Sequence, residues 1–553
     1  MINDACISNI IDSMKGNYTK GIHLMDSDFE NEVFTSFHDL ANLIHETKNK
    51  LKSNGVTEGE HILFPFETTI THIVTFFAIM TIKAIPLSIT ALSATENKKE
   101  YISYITRIKN KFNATKIFIP EDIGLNLPSD INLLKLDDIK SSEFLIESPH
   151  RTETLDDLAF VQFSSGSTSF PKGVPITHQK VWTHTNRVIN FDKRTCDDNF
   201  ASWLPLYHDM GLIGGLLSSL VKQNNLYLSP PKVFLFDPLG WLKLLSDKKI
   251  AIFPTPNFAI EYIIKLCPDL DEISHLDLSN LTSIYIGSEP INPTSLKQFT
   301  SLLANVGLNE KAIVACYGMA EAVLMVTGNH QTGFNTFTDS LGVEYVSVGK
   351  PLEDIKIKIN KTDFSDSHLP AGEILIKSND LAQSYYGVED LLTDKNGYYH
   401  SGDIGFVHEN ELYVIGRIGD RLKVNGKSIF AIDLERIIDD CAVFKKGNFA
   451  VVQVGKNIHA IGVPNTLKIL NDSDQFKNKI SDSISAIYNI SIPVGHIHFV
   501  RKKSILKTSS GKLKRHNILD LLANNKLSNM STTTYQVDFM RYYLALLRLK
   551  LFS

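Results

Sequence analysis

Apolar positions along the first 120 residues alternate between a period of about 3.6 residues and short unbroken runs. The first pattern is typical of helices that bury one face, and the second is typical of buried strands. Six elements follow from it: helices at 34–51, 71–82 and 96–112, and strands at 61–66, 84–89 and 115–119. Alternating elements of this kind favour a doubly wound α/β sheet.

The alternation continues through a strand at 312–315, and from Val346 onward the pattern changes to short strands and turns. The continuing elements are strands at 158–163, 250–253, 283–286 and 312–315 and helices at 178–190 and 238–246. The short strands lie at 356–359, 372–377, 398–406 and 412–415. A charged, glycine-punctuated junction follows at Gly416–Gly426, and helices and strands alternate again beyond it.

We therefore expect two domains. Residues 1–416 would form a large N-terminal domain of doubly wound α/β subdomains plus a small β-rich subdomain, and residues 417–553 a small α+β C-terminal domain. The apolar stretch Tyr535–Phe552 carries three basic residues. We interpret it as a docking helix, with membrane-surface contact as the alternative.

Composition narrows the classes of function. Hydrophobic residues make up 43% of the 553 residues and charged residues 21%, which is typical of a soluble globular protein. The net charge of −5 gives no support for a nucleic-acid surface. The five cysteines are odd in number and have no metal-like spacing, which disfavours a disulfide scaffold and favours a reducing cytoplasm.

No membrane span or secretory signal is expected. The longest apolar run, at 68–90, is interrupted by His72, Lys83 and Pro86, and we interpret it as a buried helix leading into a strand. The N-terminus lacks the continuous apolar core of a signal peptide.

A loop rich in serine and glycine follows the strand at 158–163. Its hydroxyls can donate hydrogen bonds to anionic oxygens, its glycines allow close backbone approach, and Lys172 adds a positive charge. These residues are Ser164, Ser165, Gly166, Ser167, Thr168, Ser169, Lys172 and Gly173. The pattern predicts a phosphate-binding loop that is not a Walker loop, because proline precedes the lysine and glycine follows it. The alternative is an ordinary surface turn.

Two later strands end in glycine-containing turns, Gly287–Pro290 and Cys316–Glu321. Ligands bind at the carboxyl ends of strands in open α/β sheets, so both turns are candidate pocket walls. Tyr317 is suited to stack on a base and Glu321 to hold a metal bound to phosphates. Ordinary βα turns are the alternative for each.

Three further residues are candidates for the site, and two of them also have an ordinary structural interpretation. Asp403 is placed by its neighbours in a tight turn suited to a ribose diol. Lys512 follows a Ser-Ser-Gly turn that would let it swing into a site, although a basic cluster is usually a solvated face. His208 lies beside apolar residues, where a lone histidine is more often structural than functional.

Taken together, these segments resemble the adenylate-forming superfamily of acyl-CoA synthetases, fatty acyl-AMP ligases, adenylation domains and luciferases. Five motifs occur in the family's order: Ser164–Gly173, Tyr317–Glu321, Ser401–Gly405, Gly416–Asp420, and Lys512 after Thr-Ser-Ser-Gly. The stretches Trp203–Leu212 and Pro256–Ala259 look like the fatty acyl-AMP ligase branch. The resemblance implies activation of an aliphatic acid.

The resemblance also implies roles for particular residues. Those expected to bind ATP or AMP are Ser165, Gly166, Ser167, Thr168, Lys172, Gly287, Ser288, Glu289, Pro290, Tyr317, Gly318, Asp403 and Arg417. Lys512, Glu321 and His208 would be catalytic, Glu321 and Thr168 would hold Mg²⁺, and Asp420 would be the hinge of a mobile C-terminal domain. The acyl pocket would include His208, Asp209, Met210, Gly211, Asn257 and Phe258.

The implied cofactors are ATP and Mg²⁺, and the implied partners are a fatty acid and either CoA or an acyl carrier protein, with a monomer favoured. Ser169 and Ala320 depart from the family pattern, and the interval from Gly372 to Ser401 has no room for a segment that many fatty acyl-AMP ligases carry. The acceptor therefore stays open. An amino-acid-activating enzyme that uses Asp209 for the substrate ammonium, and a non-catalytic binding module, are the alternatives.

Overall fold

The computed structural model describes most of the chain. The described residues are 5–25, 29–94, 98–120, 127, 130–135, 153–164, 171–267, 270–361, 369–424, 427–507, 513–524, 526–538 and 540. The predicted docking helix therefore lies mostly outside them, as do residues 165–170 and 508–512.

The first part of the chain builds a six-stranded α/β layer and contributes its first two strands to a second sheet. Its helices are α1 (Ile7–Ser13), α2 (Phe37–Ser53), α3 (Ile70–Thr81), α4 (Lys98–Phe112) and α5 (His178–Phe191). Its strands are β1 (Gly21–Met25), β2 (Glu32–Ser36), β3 (His61–Pro65), β4 (Ile85–Ile89), β5 (Lys116–Phe118), β6 (Asn132–Leu134), β7 (Leu158–Ser164) and β8 (Lys172–Thr177). Strands β3 to β8 form a sheet in the order β6-β5-β3-β4-β7-β8, parallel except for β8.

The second part forms a larger sheet. Its elements are β9 (Asn199–Ser202), a π-helical segment (Met210–Leu217), α6 (Ser218–Lys222), β10 (Leu226–Leu228), α7 (Pro231–Phe236), α8 (Pro238–Asp247), β11 (Ile250–Pro256), α9 (Asn257–Leu266), β12 (Ser283–Gly287), α10 (Pro293–Ala304), β13 (Ile313–Gly318), β14 (Met325–Gly328), β15 (Thr336–Thr338), β16 (Glu344–Val346) and β17 (Lys350–Pro351). The sheet order is β17-β14-β13-β12-β11-β9-β10-β1-β2. Strands β11 and β12 are buried along their whole length, which explains their unbroken apolar sequence.

The third part is smaller and richer in antiparallel strands. Its strands are β18 (Lys356–Asn360), β19 (Gly372–Lys377), β20 (Tyr399–His408), β21 (Glu411–Arg417), β22 (Arg421–Val424), β23 (Lys427–Phe430), β24 (Phe444–Val454), β25 (Asn457–Pro464) and β26 (Ile497–Phe499). Its helices are α11 (Ala431–Asp440), α12 (Leu467–Asn471), α13 (Ser473–Tyr488) and α14 (Arg515–Ala523). Strands β18 to β21 form the predicted β-rich unit, and β24 to β26 form a separate sheet.

The fold class is confirmed: a large α/β N-terminal part precedes a smaller C-terminal part. Two hydrophobic clusters consist wholly of residues beyond Asp420, so the smaller part has cores of its own. The division at residues 416 and 417 stays a prediction. In the part of the chain that the structure describes, no helix combines the length and the apolar character that a membrane span requires.

One predicted element begins differently. The helix expected at 34–51 starts at Phe37, because Ser36 caps it: the Asp39 backbone N–H donates to Ser36 Oγ at 3.0 Å. The preceding residues Glu32–Ser36 form β2, which pairs antiparallel with β1 at the sheet edge. The apolar side chains of Val33 and Phe34 are exposed on this edge strand, and the helical period counted Phe34 as part of a buried helix face.

Candidate active site

The predicted phosphate loop is held at both ends by a β-hairpin. Strands β7 and β8 pair antiparallel, with Ser164 opposite Lys172, so the chain leaves and re-enters the sheet at one point. The loop residues Ser165, Gly166, Ser167 and Thr168 lie outside the described residues. Lys172, at the start of β8, places its Nζ 4.6 Å from the centroid of the Tyr385 ring.

Tyr385 connects this lysine with the predicted metal-binding carboxylate. Its hydroxyl donates to Glu321 Oε1 at 2.8 Å, and Glu321 is only 9% exposed. Burial, with the Glu321 charge, raises the pKa of the Tyr385 hydroxyl well above its usual value, so it remains a donor. The Glu321 carbonyl also accepts from the Ala382 N–H at 2.9 Å. Sequence reasoning missed Tyr385, which lies in an aperiodic stretch between β19 and β20.

Three residues predicted to bind the nucleoside form one hydrogen-bonded group. The Tyr317 hydroxyl donates to Asp403 Oδ2 at 2.8 Å, and Arg417 Nε donates to Asp403 Oδ1 at 2.9 Å. The Asp403 carboxylate raises the pKa of Arg417 above its ordinary value. Asp403 lies within strand β20 and not in the predicted tight turn; the neighbouring Gly402, with φ +70°, supplies the bend that the sequence suggested.

The Gly287–Pro290 turn joins the nucleoside side of the site to helix α9. Ser288 has φ +68°, a left-handed conformation at the end of β12. Glu289 Oε1 accepts from the Phe258 N–H at 2.6 Å, at the positive end of α9. Asn257 Oδ1 accepts from the Asn292 N–H at 3.0 Å. The predicted ATP residue Glu289 thus contacts the predicted acyl-pocket residue Phe258.

The segment with His208 lies beside the strand that leads into the phosphate loop. Gln162, on β7, donates through Nε2 to the Tyr207 carbonyl at 2.6 Å. The rings of Tyr207 and His208 are 4.8 Å apart between centroids. Asp209 then begins the π-helical segment, since its Oδ1 accepts from the Met210 N–H at 2.8 Å. Gly211 is required here, because a Cβ would lie 2.3 Å from the Pro205 carbonyl oxygen.

A largely apolar cavity of about 50 Å³ opens at the carboxyl ends of strands β12 and β13. Near its mouth it is lined by Ser288, Tyr317, Gly318, Asp209 and Met210. These residues belong to the predicted nucleotide and acyl sites, so the two sites are continuous. The other predicted acyl-pocket residues are not among those that line this cavity: His208, Gly211, Asn257 and Phe258.

The predicted catalytic lysine, Lys512, lies outside the described residues. The residues on either side of it are joined, because Lys507 and Leu513 form an antiparallel bridge and the Lys514 N–H donates to the Leu506 carbonyl at 2.9 Å. Arg515 donates to the predicted hinge residue Asp420 at 2.9 Å and to Glu435 at 2.7 Å.

The residues present fit a magnesium ion that is bound together with phosphates. Among the described residues, no three His, Cys, Asp or Glu side chains form a group that would hold a metal ion. Proteins usually bind Mg²⁺ through one or two carboxylates plus substrate phosphates, and Glu321 is such a carboxylate.

The fold and the site together define an adenylate-forming enzyme. Residues 22–386, about two thirds of the chain, match the model of the AMP-binding enzyme family, and the protein belongs to that family.

Relatives and solved structures agree with this assignment. The chain is 28% identical over 444 residues to the long-chain fatty acid–AMP ligase FadD23 of Mycobacterium tuberculosis, covering 71% of this chain and 74% of that protein. It is 28% identical over 419 residues to the medium-chain fatty acid–[acyl-carrier-protein] ligase TtuA of Teredinibacter turnerae, covering 68% and 64%. A structure from work on fatty acyl-adenylate ligases of E. coli and L. pneumophila superposes with a TM-score of 0.84 at 22% identity, covering 95% of this chain and 99% of that one, and so shares the fold.

Proposed function

We propose that the protein activates a fatty carboxylic acid with ATP, forming an acyl-adenylate and releasing pyrophosphate. The observation that carries this proposal is the continuity of an apolar cavity with the polar group of Tyr317, Asp403 and Arg417. An aliphatic chain suits the apolar lining of the cavity, and its carboxylate would lie beside the nucleotide. The names of the relatives, which are ligases of fatty acids, support the same substrate class.

The chemistry calls for neutralisation of charge and not for a strong base. A carboxylic acid with a pKa of roughly 4 to 5 is already ionised at neutral pH. Its oxygen must attack the anionic α-phosphate while the bond to the departing pyrophosphate breaks. Catalysis then depends on positioning and on cations near the crowded oxygens. Bound Mg²⁺ would supply part of that positive charge.

The protein's own residues would divide the work as follows. The loop residues Ser165, Gly166, Ser167, Thr168 and Lys172 would hold the β and γ phosphates, and Glu321 with Thr168 would hold Mg²⁺. Gly287–Pro290, Tyr317 and Gly318 would frame adenine, Asp403 with Arg417 would hold the ribose, and Lys512 would approach the carboxylate and the α-phosphate. His208 would lie at the junction with the acyl pocket.

A second step would transfer the acyl group to a thiol, on CoA or on the phosphopantetheine arm of a carrier protein. We infer that residues 417–553 act as a mobile domain that turns about Asp420 between the two steps. A monomer in the cytoplasm remains the prediction from sequence.

The test removes the amine of Lys512. Lys512→Ala should lower ATP–pyrophosphate exchange driven by a fatty acid by roughly two to three decades, the scale of losing one preorganised electrostatic contact. Lys514→Ala is the matched control, because it removes a neighbouring charge, and it should retain exchange. Near-normal exchange by Lys512→Ala would contradict the assignment.

The same assay separates the alternatives. Asp209, the carboxylate that an amino-acid substrate would need, already accepts from the Met210 N–H with one oxygen. Pyrophosphate exchange with amino acids and not with fatty acids would nevertheless establish that the protein activates amino acids. Absence of exchange with every acid, together with retained ATP binding, would establish a binding module.

A further inference from the structure

The inner end of the cavity carries a buried polar group, which we call the inner polar cluster: Asp192, Arg194, Ser218 and Tyr285. Arg194 donates through Nη2 and Nε to Asp192 Oδ2, at 2.8 and 3.2 Å, and through Nη1 to Ser218 Oγ at 2.8 Å. The Tyr285 hydroxyl donates to the same Asp192 oxygen at 2.9 Å. The side chains of Asp192 and Arg194 are both 0% exposed, so the ion pair is removed from solvent.

The cluster reaches the cavity through Arg194 and Tyr285, which both line it. Successive residues of a strand point to opposite faces of a sheet, and residues in register on neighbouring strands share a face. Tyr285 and Gly287 therefore share one face of β12, together with Pro254, which is in register with Tyr285. Phe200 lies deeper on that face, where it pairs with Ile252. All four residues line the cavity.

The register also sets a distance. Tyr285 precedes Ser288, at the cavity mouth, by three residues, or about 10 Å at roughly 3.3 Å per residue. An extended acyl chain spans about 1.2 Å per bond, because three bonds of an extended backbone cover at most about 3.6 Å. About eight bonds therefore span the distance from the mouth to the cluster. The cluster is thus at the depth where the far end of a medium-length acid would lie.

The inner polar cluster has hydrogen-bonding capacity beyond its internal bonds. A guanidinium carries five N–H donors, and the bonds to Asp192 and Ser218 use three of those of Arg194. The other two have no acceptor among the described residues. The Tyr285 oxygen donates its hydrogen to Asp192 and keeps lone pairs that can accept. Asp192 balances the positive charge of Arg194, so the cluster suits a neutral group better than a second carboxylate.

We propose that the acid activated by this enzyme is of medium length and ends in a hydroxyl group, which the inner polar cluster recognises. This inference rests on the proposed function and specifies its substrate. A terminal hydroxyl accepts from an Arg194 N–H and donates to the Tyr285 oxygen. A terminal methyl leaves that N–H buried without a partner, and a much longer chain drives methylenes against the ion pair.

The experiment measures kcat/KM for ATP-dependent pyrophosphate release with 8-hydroxyoctanoate, octanoate, octanedioate and hexadecanoate. Wild-type protein should prefer 8-hydroxyoctanoate to octanoate by about tenfold, the scale of one hydrogen bond to a charged group, and should use hexadecanoate least. Tyr285→Phe keeps the ring and should lower the preference to about threefold or less. Tyr101→Phe is the matched control: it removes a buried hydroxyl that donates to the Thr90 carbonyl, Tyr101 does not line the cavity, and the preference should stay.

Ser218→Ala provides a second route should Tyr285→Phe not fold. Ser218 Oγ accepts one of the three hydrogen bonds that hold the Arg194 guanidinium, so its loss loosens Arg194 and the preference for 8-hydroxyoctanoate should fall. Equal use of octanoate by wild-type protein, or a preference unaltered in both variants, would overturn the inference while leaving fatty acid activation intact. A preference for octanedioate would also overturn it, because Arg194 would then act as an unpaired cation. No pyrophosphate release with any acid would overturn the proposed function itself.

Discussion

Tyr385 joins the two residues of opposite charge that the sequence assigned to the phosphate end of the site. Its hydroxyl donates to Glu321, and its ring lies under the Lys172 ammonium. The same side chain therefore orients a carboxylate and attracts a cation. A residue with both contacts controls where the positive charge of Lys172 and the negative charge of Glu321 lie relative to each other.

Tyr385→Phe should keep the ring and lose the bond to Glu321. A hydrogen bond to a charged group is worth about 1.5–3 kcal/mol, so kcat/KM for adenylate formation should fall at least tenfold. Tyr386→Phe is the matched control, because the Tyr386 hydroxyl is bonded to His61 Nε2 at 2.6 Å instead. Equal effects of the two substitutions in the pyrophosphate exchange assay would remove Tyr385 from the site.

His184 gives the protein a pH-dependent stability. The ring is fully buried, and its Nε2 accepts from the Met325 N–H at 3.0 Å. Its Nδ1 lies 2.9 Å from Asp380 Oδ2, and the same carboxylate oxygen forms an ion pair with Arg187. Burial, with Arg187, lowers the pKa of His184 from its usual 6.5 to about 3. Protonation would also break the bond from Met325. The native state therefore requires the neutral ring.

The sign of the effect follows from proton linkage. Well above pH 6.5, His184 is neutral in both the folded and the unfolded state. Between pH 6.5 and about 3 it is protonated to a larger extent in the unfolded state, so stability falls as the pH falls. From pH 6.5 to 5 the loss from this residue should be roughly 2 kcal/mol. Urea unfolding at the two pH values should show a smaller loss for His184→Asn than for wild-type protein. Identical losses would mean that His184 is protonated in the native state.

At the scale of elements, the turn after β13 is shaped by a very close approach of two backbone segments. A Cβ on Gly318 would lie 1.8 Å from the Leu324 carbonyl oxygen, and the Met319 N–H donates to that same oxygen at 2.8 Å. This close approach holds the 3₁₀ turn Ala320–Ala322, which carries Glu321. Glycine at position 318 thus sets the position of the carboxylate.

Gly318→Ala should push the turn away from Leu324. We expect a loss of roughly 1–3 kcal/mol in the free energy of unfolding and a fall in adenylate formation, because Glu321 moves with the turn. Gly495→Ala is the control, since a Cβ there meets nothing within 4 Å. Thermal unfolding and pyrophosphate exchange measure the two effects, and unaltered values for Gly318→Ala would show that the turn adapts without cost.

The elements and the parts of the site that the sequence could predict are those encoded by neighbouring residues. Buried strands such as β12 have unbroken apolar sequence, and motifs such as Cys316–Glu321 follow a strand directly, so both were found. Tyr385 was missed because its partner Glu321 is 64 residues away. The bond between Tyr285 and Asp192 spans 93 residues, and no local pattern indicates it. The strand β2 was missed because it is exposed at a sheet edge.

At the scale of the whole molecule, the smaller part contacts the larger one through an ion pair. Lys446 Nζ lies 3.1 Å from Glu261 Oε1, on helix α9, which also carries Asn257 and Phe258 of the predicted acyl pocket. The lysine is 49% exposed and the glutamate 20%, so the pair is partly screened by solvent. This contact favours the arrangement of the two parts that the structure shows.

Reversing one charge of the pair should weaken that arrangement. Lys446 Nζ also lies 3.5 Å from Asp439 Oδ2, so Lys446→Glu places three carboxylates together. It should lower adenylate formation by up to about fivefold, in keeping with the ~1 kcal/mol scale of an exposed pair. The double variant Glu261→Lys with Lys446→Glu should recover most of the activity, whereas Lys456→Glu, an exposed control, should have no effect. Failure of the double variant to recover would show that the contact does not contribute to the arrangement used in adenylation.

Arg515 ties the segment that bears Lys512 to both Asp420 and Glu435. These three residues are far apart in the sequence but interact in the structure, so recombination between homologues can separate them. A chimaera with a crossover between residues 421 and 434 would receive Asp420 from one parent and Glu435 with Arg515 from the other. A crossover between 436 and 514 would separate the arginine from both acidic partners. Such hybrids should function only where both parents have Asp420, Glu435 and Arg515 at the corresponding positions. Crossovers before Asp420 or after Arg515 keep the three residues together and are therefore preferable for exchanging the smaller part.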